Sequence, residues 1–183
     1  RNFTASGARL AWICDQDPER CARAKKSFLV DKVTSNPEDL FNDPTLDAVA
    51  IATPVATHSR LALAALRAGK HVWVEKPMAG SVAECEEMVQ VAEAHKRVLM
   101  VDHTFIYSAP VRKLHELLVA NELGELLYVD SIRVNLGLVQ SDVNVVWDLA
   151  PHDLSIADYL LAPRLPLSVN AVGASHVTAT GER

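Results

Sequence analysis

The stretch "AVAIATPVATHSRLALAALRAGKHVWV", residues 48–74, decides the fold. It opens on an apolar run, breaks at Thr53-Pro54, and continues through a helical segment, 58–68, that stops at Gly69. Glycine suits the left-handed residue that ends many helices. A second apolar run, "HVWV" at 71–74, follows directly. Two strands joined through a helix need a crossover that lays them parallel, so the stretch reads as a βαβ unit.

The same grammar extends to both sides. "LAWIC" (10–14) and "VLMV" (98–101) are further short apolar runs. None of the four runs shows clean alternation, the pattern expected of parallel strands covered on both faces. Asp17-Pro18 reads as the cap and first position of a helix to about Phe28, and Ser81 with Glu84 has the spacing of a capping box for a helix over 82–95. The expected fold class is α/β, a Rossmann-like doubly wound parallel sheet. The opening "RNFTASGARL" reads as a polar, glycine-containing loop.

Beyond residue 103 the pattern changes. "SAPVRKLHELLVANELG" (108–124) is helical, but "LLYVDSIRVNLGLV" (126–139) and "LSVNAVGASHV" (167–177) are longer and partly alternating. They predict the start of an α+β domain with an open, largely antiparallel sheet. The expected division is 1–103 for dinucleotide binding and 104–183 for the beginning of a substrate and oligomerisation domain.

Composition narrows the function. The 183 residues are 49% apolar and 22% charged, with a formal net charge of −5. An acidic chain lacks the basic patch that nucleic acid or an anionic membrane would need, so a small-molecule ligand is expected. No apolar run approaches the roughly 18 residues of a membrane span. Cys14, Cys21 and Cys85 have no CxxC spacing and read as reduced, in a cytoplasmic protein without a metal site.

Open parallel sheets bind ligands outside the carboxyl ends of their strands, so polar residues ending apolar runs are the ones to inspect. Asp15 ends "LAWICD". There a carboxylate accepts hydrogen bonds from an adenosine ribose and disfavours a 2′-phosphate, pointing to NAD over NADP; alternatively Asp15 caps the "DQDP" turn. The glycine-rich pyrophosphate loop should precede it by about 20 residues. Only 14 residues stand before it and Gly7 alone cannot supply the fingerprint, so the first strand and its loop are expected to be missing. Ala52, Thr53 and Pro54 end the second run with small residues that let a flat cofactor approach; His58, at the next helix start, reads as a surface residue or a cofactor neighbour.

The third strand end is "EKP". Pro77 disfavours the helical region for Lys76 and holds it extended, and a Lys-Pro bond is one of the few that can be cis. An ammonium in the cleft stabilises an alkoxide or lowers the pKa of a substrate hydroxyl. A solvated Glu75-Lys76 pair before a turn is the competing reading. "WDLAPHDLSIADYLL" (147–161) alters the balance. With Pro151 in a first helical turn, Asp148 stands at the helix start and His152 near its positive end, which favours the neutral imidazole that a proton acceptor needs. Asp148 pulls the other way. His152 as a hydrogen bonder packed under Trp147 is the alternative.

These residues resemble the glucose-fructose oxidoreductase/inositol dehydrogenase (Gfo/Idh/MocA) family. "AGKHVWVEKPMAGSVAECEEMV" is similar to its Glu-Lys-Pro block, and "WDLAPHDLSIADYL" to its Asp-x-x-x-His block. The resemblance implies an NAD(P)-dependent oxidoreductase moving a hydride between nicotinamide and a hydroxyl-bearing carbon of a sugar. It implies Lys76 and His152 as the acid/base pair, with Asp148 binding substrate or orienting the histidine. Asp15, Ala52, Thr53, Pro54, His58, Glu75 and Lys76 would line the cofactor, and His103, Tyr107 and Asn135 the substrate pocket. "HTFIYS", "RVNLG" and "WDLAPHD" look most like members acting on nucleotide-linked hexoses. Homo-oligomerisation is implied by resemblance alone. Two alternatives stand beside this reading: an NAD-dependent glycosidase of the same fold, and a sugar- or cofactor-sensing protein without turnover.

Overall fold

The computed structural model describes residues 2–28, 30–134 and 143–174. The chain opens with a short helix, α1 (Asn2–Ala5), where a loop was expected. It then alternates: β1 (Trp12–Cys14), α2 (Pro18–Ser27), β2 (Lys32–Thr34), α3 (Glu38–Phe41), β3 (Ala48–Ile51), α4 (His58–Arg67), β4 (His71–Val74), α5 (Val82–Ala94) and β5 (Leu99–Val101). Helices α6 (Ala109–Val119) and α7 (Val145–Leu161) complete the described elements. The short strand β2 and helix α3 were not anticipated from sequence.

All pairings are parallel, with Ile13 opposite Val33, Val49 opposite Val72 and Trp73 opposite Met100. Among the described residues they form two sheets, β1–β2 and β3–β4–β5. Asp43 joins the first sheet to the approach of β3: its carboxylate accepts from Trp12 Nε1 at 2.7 Å and faces Lys32 Nζ at 3.5 Å. Helix α1 meets the second sheet, with Phe3 edge-on to Trp73 at 5.6 Å.

The helix ends follow their local chemistry. Asp17 caps α2, accepting from Glu19 N at 2.8 Å, and Ser81 caps α5, accepting from Glu84 N, while Glu84 reaches back to Ser81 Oγ and Gly80 N. Helix α4 ends at Gly69, whose φ of +78° only glycine adopts cheaply. Gly69 N donates to Leu66 O and Lys70 N to Ala65 O, satisfying carbonyls that the helix leaves open. Lys70 itself is 5% exposed, and its ammonium donates to the carbonyls of Asp43 and Leu46.

The core lies between the second sheet and helices α4 and α5. Val49, Ile51, Val72 and Val74 point to one face and meet Ala62, Leu66, Met88 and Ala92, all buried. The other face is only partly covered among the described residues: Phe3 of α1 packs on Trp73, His71 and Trp73 are half-buried, and Ala48 and Ala50 are exposed. Among the described residues the strands are therefore packed mainly on one side and more lightly on the other, which is less even burial than was read from sequence. Alanine and tryptophan belong to no clear polar class, and they hid the alternation.

Residues 126–134 and 167–174, the described parts of the two long runs, contain no strand. Leu127, Ile132, Val134, Leu167, Val169 and Val172 lie exposed. A strand without a paired neighbour leaves its N–H and C=O groups unmatched, and neither run has one among the described residues.

Candidate active site

Beyond Glu75 the chain leaves the sheet. Glu75 N still donates to Ile51 O at 2.9 Å; the next bond, Lys76–Pro77, is cis. Lys76, two residues past Val74, stands beyond the carboxyl end of β4. Its ammonium donates to Asp148 Oδ1 at 2.9 Å and to the Asp148 main-chain oxygen at 2.7 Å, joining positions 72 residues apart. The two side chains are only 18% and 24% exposed, so the pair is partly shielded from water.

Asp148 stands in the first turn of α7, and here the sequence reading needs correcting. The helix starts at Val145, capped by Asn144, whose side chain accepts from Trp147 N at 3.0 Å. Pro151 lies inside the helix, and His152 is seven residues past its start. The dipole of a helix acts mainly within its first turn, so it is not what lowers the pKa of this imidazole. The pKa of His152 is lowered first by burial, then by the nearby charges of Lys76 and Arg133, against Asp153, which raises it. Asp148, whose carboxylate is paired with Lys76, is not among the charges that shift it.

His152 packs edge-on against Phe105 at 4.8 Å between ring centroids, and its Nδ1 is buried without a hydrogen-bond partner. The Nδ1 of His103 is likewise buried and unpartnered, and burial lowers that histidine's pKa against the pull of Asp102. A buried imidazole nitrogen without a hydrogen-bond partner is uncommon, and two of them, on His103 and His152, belong to the same electrostatic neighbourhood. Arg133 belongs to it as well, held by Asp153 through Nε at 2.7 Å and Nη2 at 3.0 Å and lying 5.1 Å over the Phe105 ring. Phe105, Arg133 and Asp153 were not singled out from sequence, although Phe105 sits inside the quoted "HTFIYS".

The remaining expected residues fall as follows. Ala52, Thr53 and Pro54 are exposed at the end of β3, an open shelf beside Lys76. Glu75 accepts from Lys76 N at 3.3 Å, and burial, followed by the charge of Asp102, raises its pKa. Asp15 follows β1 and uses Oδ1 to accept from Asp17 N at 2.9 Å, so the turn-capping role is present, while Oδ2 faces Arg20 at 3.8 Å. Tyr107 is half exposed and lies under Arg112. Asn135 lies outside the described residues. His58 departs from its reading as a surface or cofactor-lining residue: it is 1% exposed, with Nδ1 2.9 Å from Pro77 O and Nε2 2.8 Å from Thr53 O. Both ring nitrogens are occupied by main chain, leaving none for a ligand.

The fit to a dinucleotide rests on the open shelf of small residues at one strand end and the unpartnered imidazoles beside the next. Among the described residues no group of three or more His, Cys, Asp and Glu side chains is placed to hold a metal ion. Nor is any helix long and apolar enough to cross a membrane. The three cysteines are free.

A family model described as "Oxidoreductase family, NAD-binding Rossmann fold" (GFO_IDH_MocA) matches residues 2–103. The chain is 36% identical over 172 residues to the uncharacterized oxidoreductase YdgJ of Escherichia coli K12, covering 89% of this chain and 48% of that protein. It is 31% identical over 163 residues to inositol 2-dehydrogenase 2 of Saccharopolyspora erythraea, covering 87% of this chain and 48% of that protein. Among solved structures, a levoglucosan dehydrogenase in complex with NADH and levoglucosan superposes with a TM-score of 0.74 at 27% identity, over 84% of this chain and 45% of that one. The chain spans about half the length of the curated relatives it matches.

Proposed function

The chain belongs to the Gfo/Idh/MocA family of NAD-binding Rossmann-fold oxidoreductases, and from that premise we propose that it oxidises a hydroxyl-bearing carbon of a sugar or related polyol with Lys76 and His152 as its proton-handling groups. The observation that carries this reading is the contact of Lys76 with Asp148. It brings the strand-end lysine to the helix bearing His152, close enough that the ammonium depresses the imidazole's pKa.

NAD, when bound, supplies the carbon that accepts the hydride. Asp15, the 52–54 shelf, Glu75 and Lys76 would hold it, and the carboxylate of Asp15 would favour NAD over NADP. The chain's own task is the proton. Oxidation of a secondary alcohol releases a hydride from carbon and a proton from oxygen, and the two must leave together. A neutral His152 takes the hydroxyl proton, and burial together with the adjacent ammonium keeps it neutral near pH 7. Lys76 stabilises the negative charge growing on the substrate oxygen, and Asp148 orients Lys76. His103 and Tyr107 border the substrate, with 104–183 beginning a substrate domain.

The finer reading is a UDP- or dTDP-linked hexose as substrate, supported by the strings "HTFIYS", "RVNLG" and "WDLAPHD". The levoglucosan and inositol dehydrogenases among the relatives support the coarser class. Screening the whole gene product with NAD against inositols, anhydrosugars and nucleotide sugars, with NADH absorbance as readout, tests both levels. NADH formation with a nucleotide sugar alone supports the finer reading. Formation with free polyols confines it to the coarser one. Glycosidic cleavage without net NADH would reassign the site to NAD-retaining glycoside chemistry, and no turnover with any of them would leave a sensing role.

A further inference from the structure

We infer that His58 is a positioning residue which sets Lys76 through the carbonyl of Pro77, and that it neither touches substrate nor cofactor. The inference rests on the reading of Lys76 as a proton-handling group.

Lys76 sits between two anchors. On its amino side the sheet ends with Glu75 N donating to Ile51 O. Past that point the ladder to β3 gives no further support, and the next fixed point is Pro77 O, 2.9 Å from His58 Nδ1. The other ring nitrogen meets Thr53 O at 2.8 Å, so one side chain at the first residue of α4 spans the ends of β3 and β4. A neutral imidazole donates one hydrogen bond and a doubly protonated one donates two, so at least one of these carbonyls accepts from His58. The loop holding Thr53 has its own internal ties: Thr57 Oγ1 donates to Pro54 O at 2.7 Å and lies 2.6 Å from Thr53 Oγ1. Pro77 is buried, but no second hydrogen bond to its carbonyl is present among the described residues. Losing the Nδ1 contact therefore frees the segment carrying Lys76, whereas losing the Nε2 contact leaves a loop that is still braced.

Burial makes the anchor stiff. His58 is 1% exposed, and Ala62 and Leu66, one and two turns further along α4, are fully buried beneath it. The ring cannot rotate away without displacing packed atoms. A group held in this way delivers the ammonium to Asp148 and His152 at a fixed place, and a shift of about 1 Å in such a group costs up to about a hundredfold in rate.

The two contacts can be separated by substitution. The amide of asparagine occupies the position of Nδ1 and still reaches Pro77 O; that of glutamine occupies the position of Nε2 and reaches only Thr53 O. In the whole gene product, His58→Asn is expected to keep kcat within about threefold of the parent, and His58→Gln to lower kcat about tenfold to a hundredfold with KM changed by less than about threefold. Equal kcat values for the two variants, or losses confined to KM, would overturn the inference. Crystal structures of both variants give an answer that needs no turnover, and so separate a failure here from a failure of the assigned reaction. The Lys76–Asp148 contact is expected intact in His58→Asn and broken in His58→Gln. Finding it intact in both would rule out the role.

Discussion

Residues 41–101 and residues 104–174 place the two halves of the site on very different foundations. The first span holds nearly all the buried side chains of the described chain, from Phe41 through Leu66 and Val74 to Met88 and Ala92. The second, though it contains the long helix α7, has no buried residue among those described, and Leu154, Val145 and Val146 stand exposed. Lys76 is thus carried by a packed sheet and His152 by a helix held through polar and ring contacts: Asp148 with Lys76, Asp153 with Arg133 and Ser131, His152 with Phe105 and Tyr159 with His115. The comparison teaches that packing fixes one of the two proposed proton-handling groups, while the helix bearing the other meets it through a polar contact. Chemistry and assembly share the same ammonium.

The largest effect should come from removing that ammonium. Lys76→Ala is expected to lower kcat by roughly 10²–10⁴-fold, the usual range for a proton-transfer group. NADH formation at saturating substrate checks it, and an unchanged kcat would remove Lys76 from the mechanism. Next, Leu66→Ala should lower unfolding free energy by about 2–5 kcal/mol, measured by urea denaturation, because Leu66 is fully buried and leaves a cavity. Leu154→Ala on the exposed side of α7 should change it by less than about 0.5 kcal/mol. A similar loss at both positions would erase the contrast between the two spans.

The pH dependence sharpens it further. With the His152 pKa depressed by burial and by Lys76, the acid limb of kcat/KM should lie below the ordinary histidine value of 6.5. Histidine NMR of Lys76→Met should show that pKa rising. Because the folded protein binds this proton less readily than the unfolded chain, His152 adds stability above pH ~6.5 that is lost as pH falls through the shifted value. A smaller effect is expected at the α5 cap: Ser81→Ala should cost about 1 kcal/mol by losing the bond from Glu84 N. At the junction of the two sheets, Asp43 has its pKa held well below the carboxylate range by hydrogen bonds from Thr45 and Trp12. Its contribution is present above pH ~4 and fades on acidification, so Asp43→Asn should flatten the acid side of the stability profile.

Much of this was legible in the sequence where a residue type has a single structural use. Gly69, the Ser81/Glu84 box and Asp17-Pro18 marked helix ends correctly, and β4 begins and ends where "HVWV" does. The parallel order followed from the βαβ spacing. The start of α7 did not, because Asn144 is followed by two valines, poor helix formers, and Pro151 offered the stronger but misleading signal for a first turn. The three-residue strand β2, "KVT", is too short and too polar to show a period. Burial of His58 was recoverable: Ala62 and Leu66 lie four and eight positions on, which places the imidazole on the apolar face of α4. The neighbourhood of Phe105, Arg133 and Asp153 was not, since it depends on tertiary contacts between residues up to 48 positions apart.

One measurement bears most directly on the whole account: a crystal structure of the whole gene product with NAD and a sugar it turns over. The ammonium of Lys76 and the imidazole of His152 should both lie within hydrogen-bonding distance of one substrate hydroxyl, with Asp148 still on the lysine. A substrate hydroxyl contacted by only one of the two groups, or by neither, would contradict it.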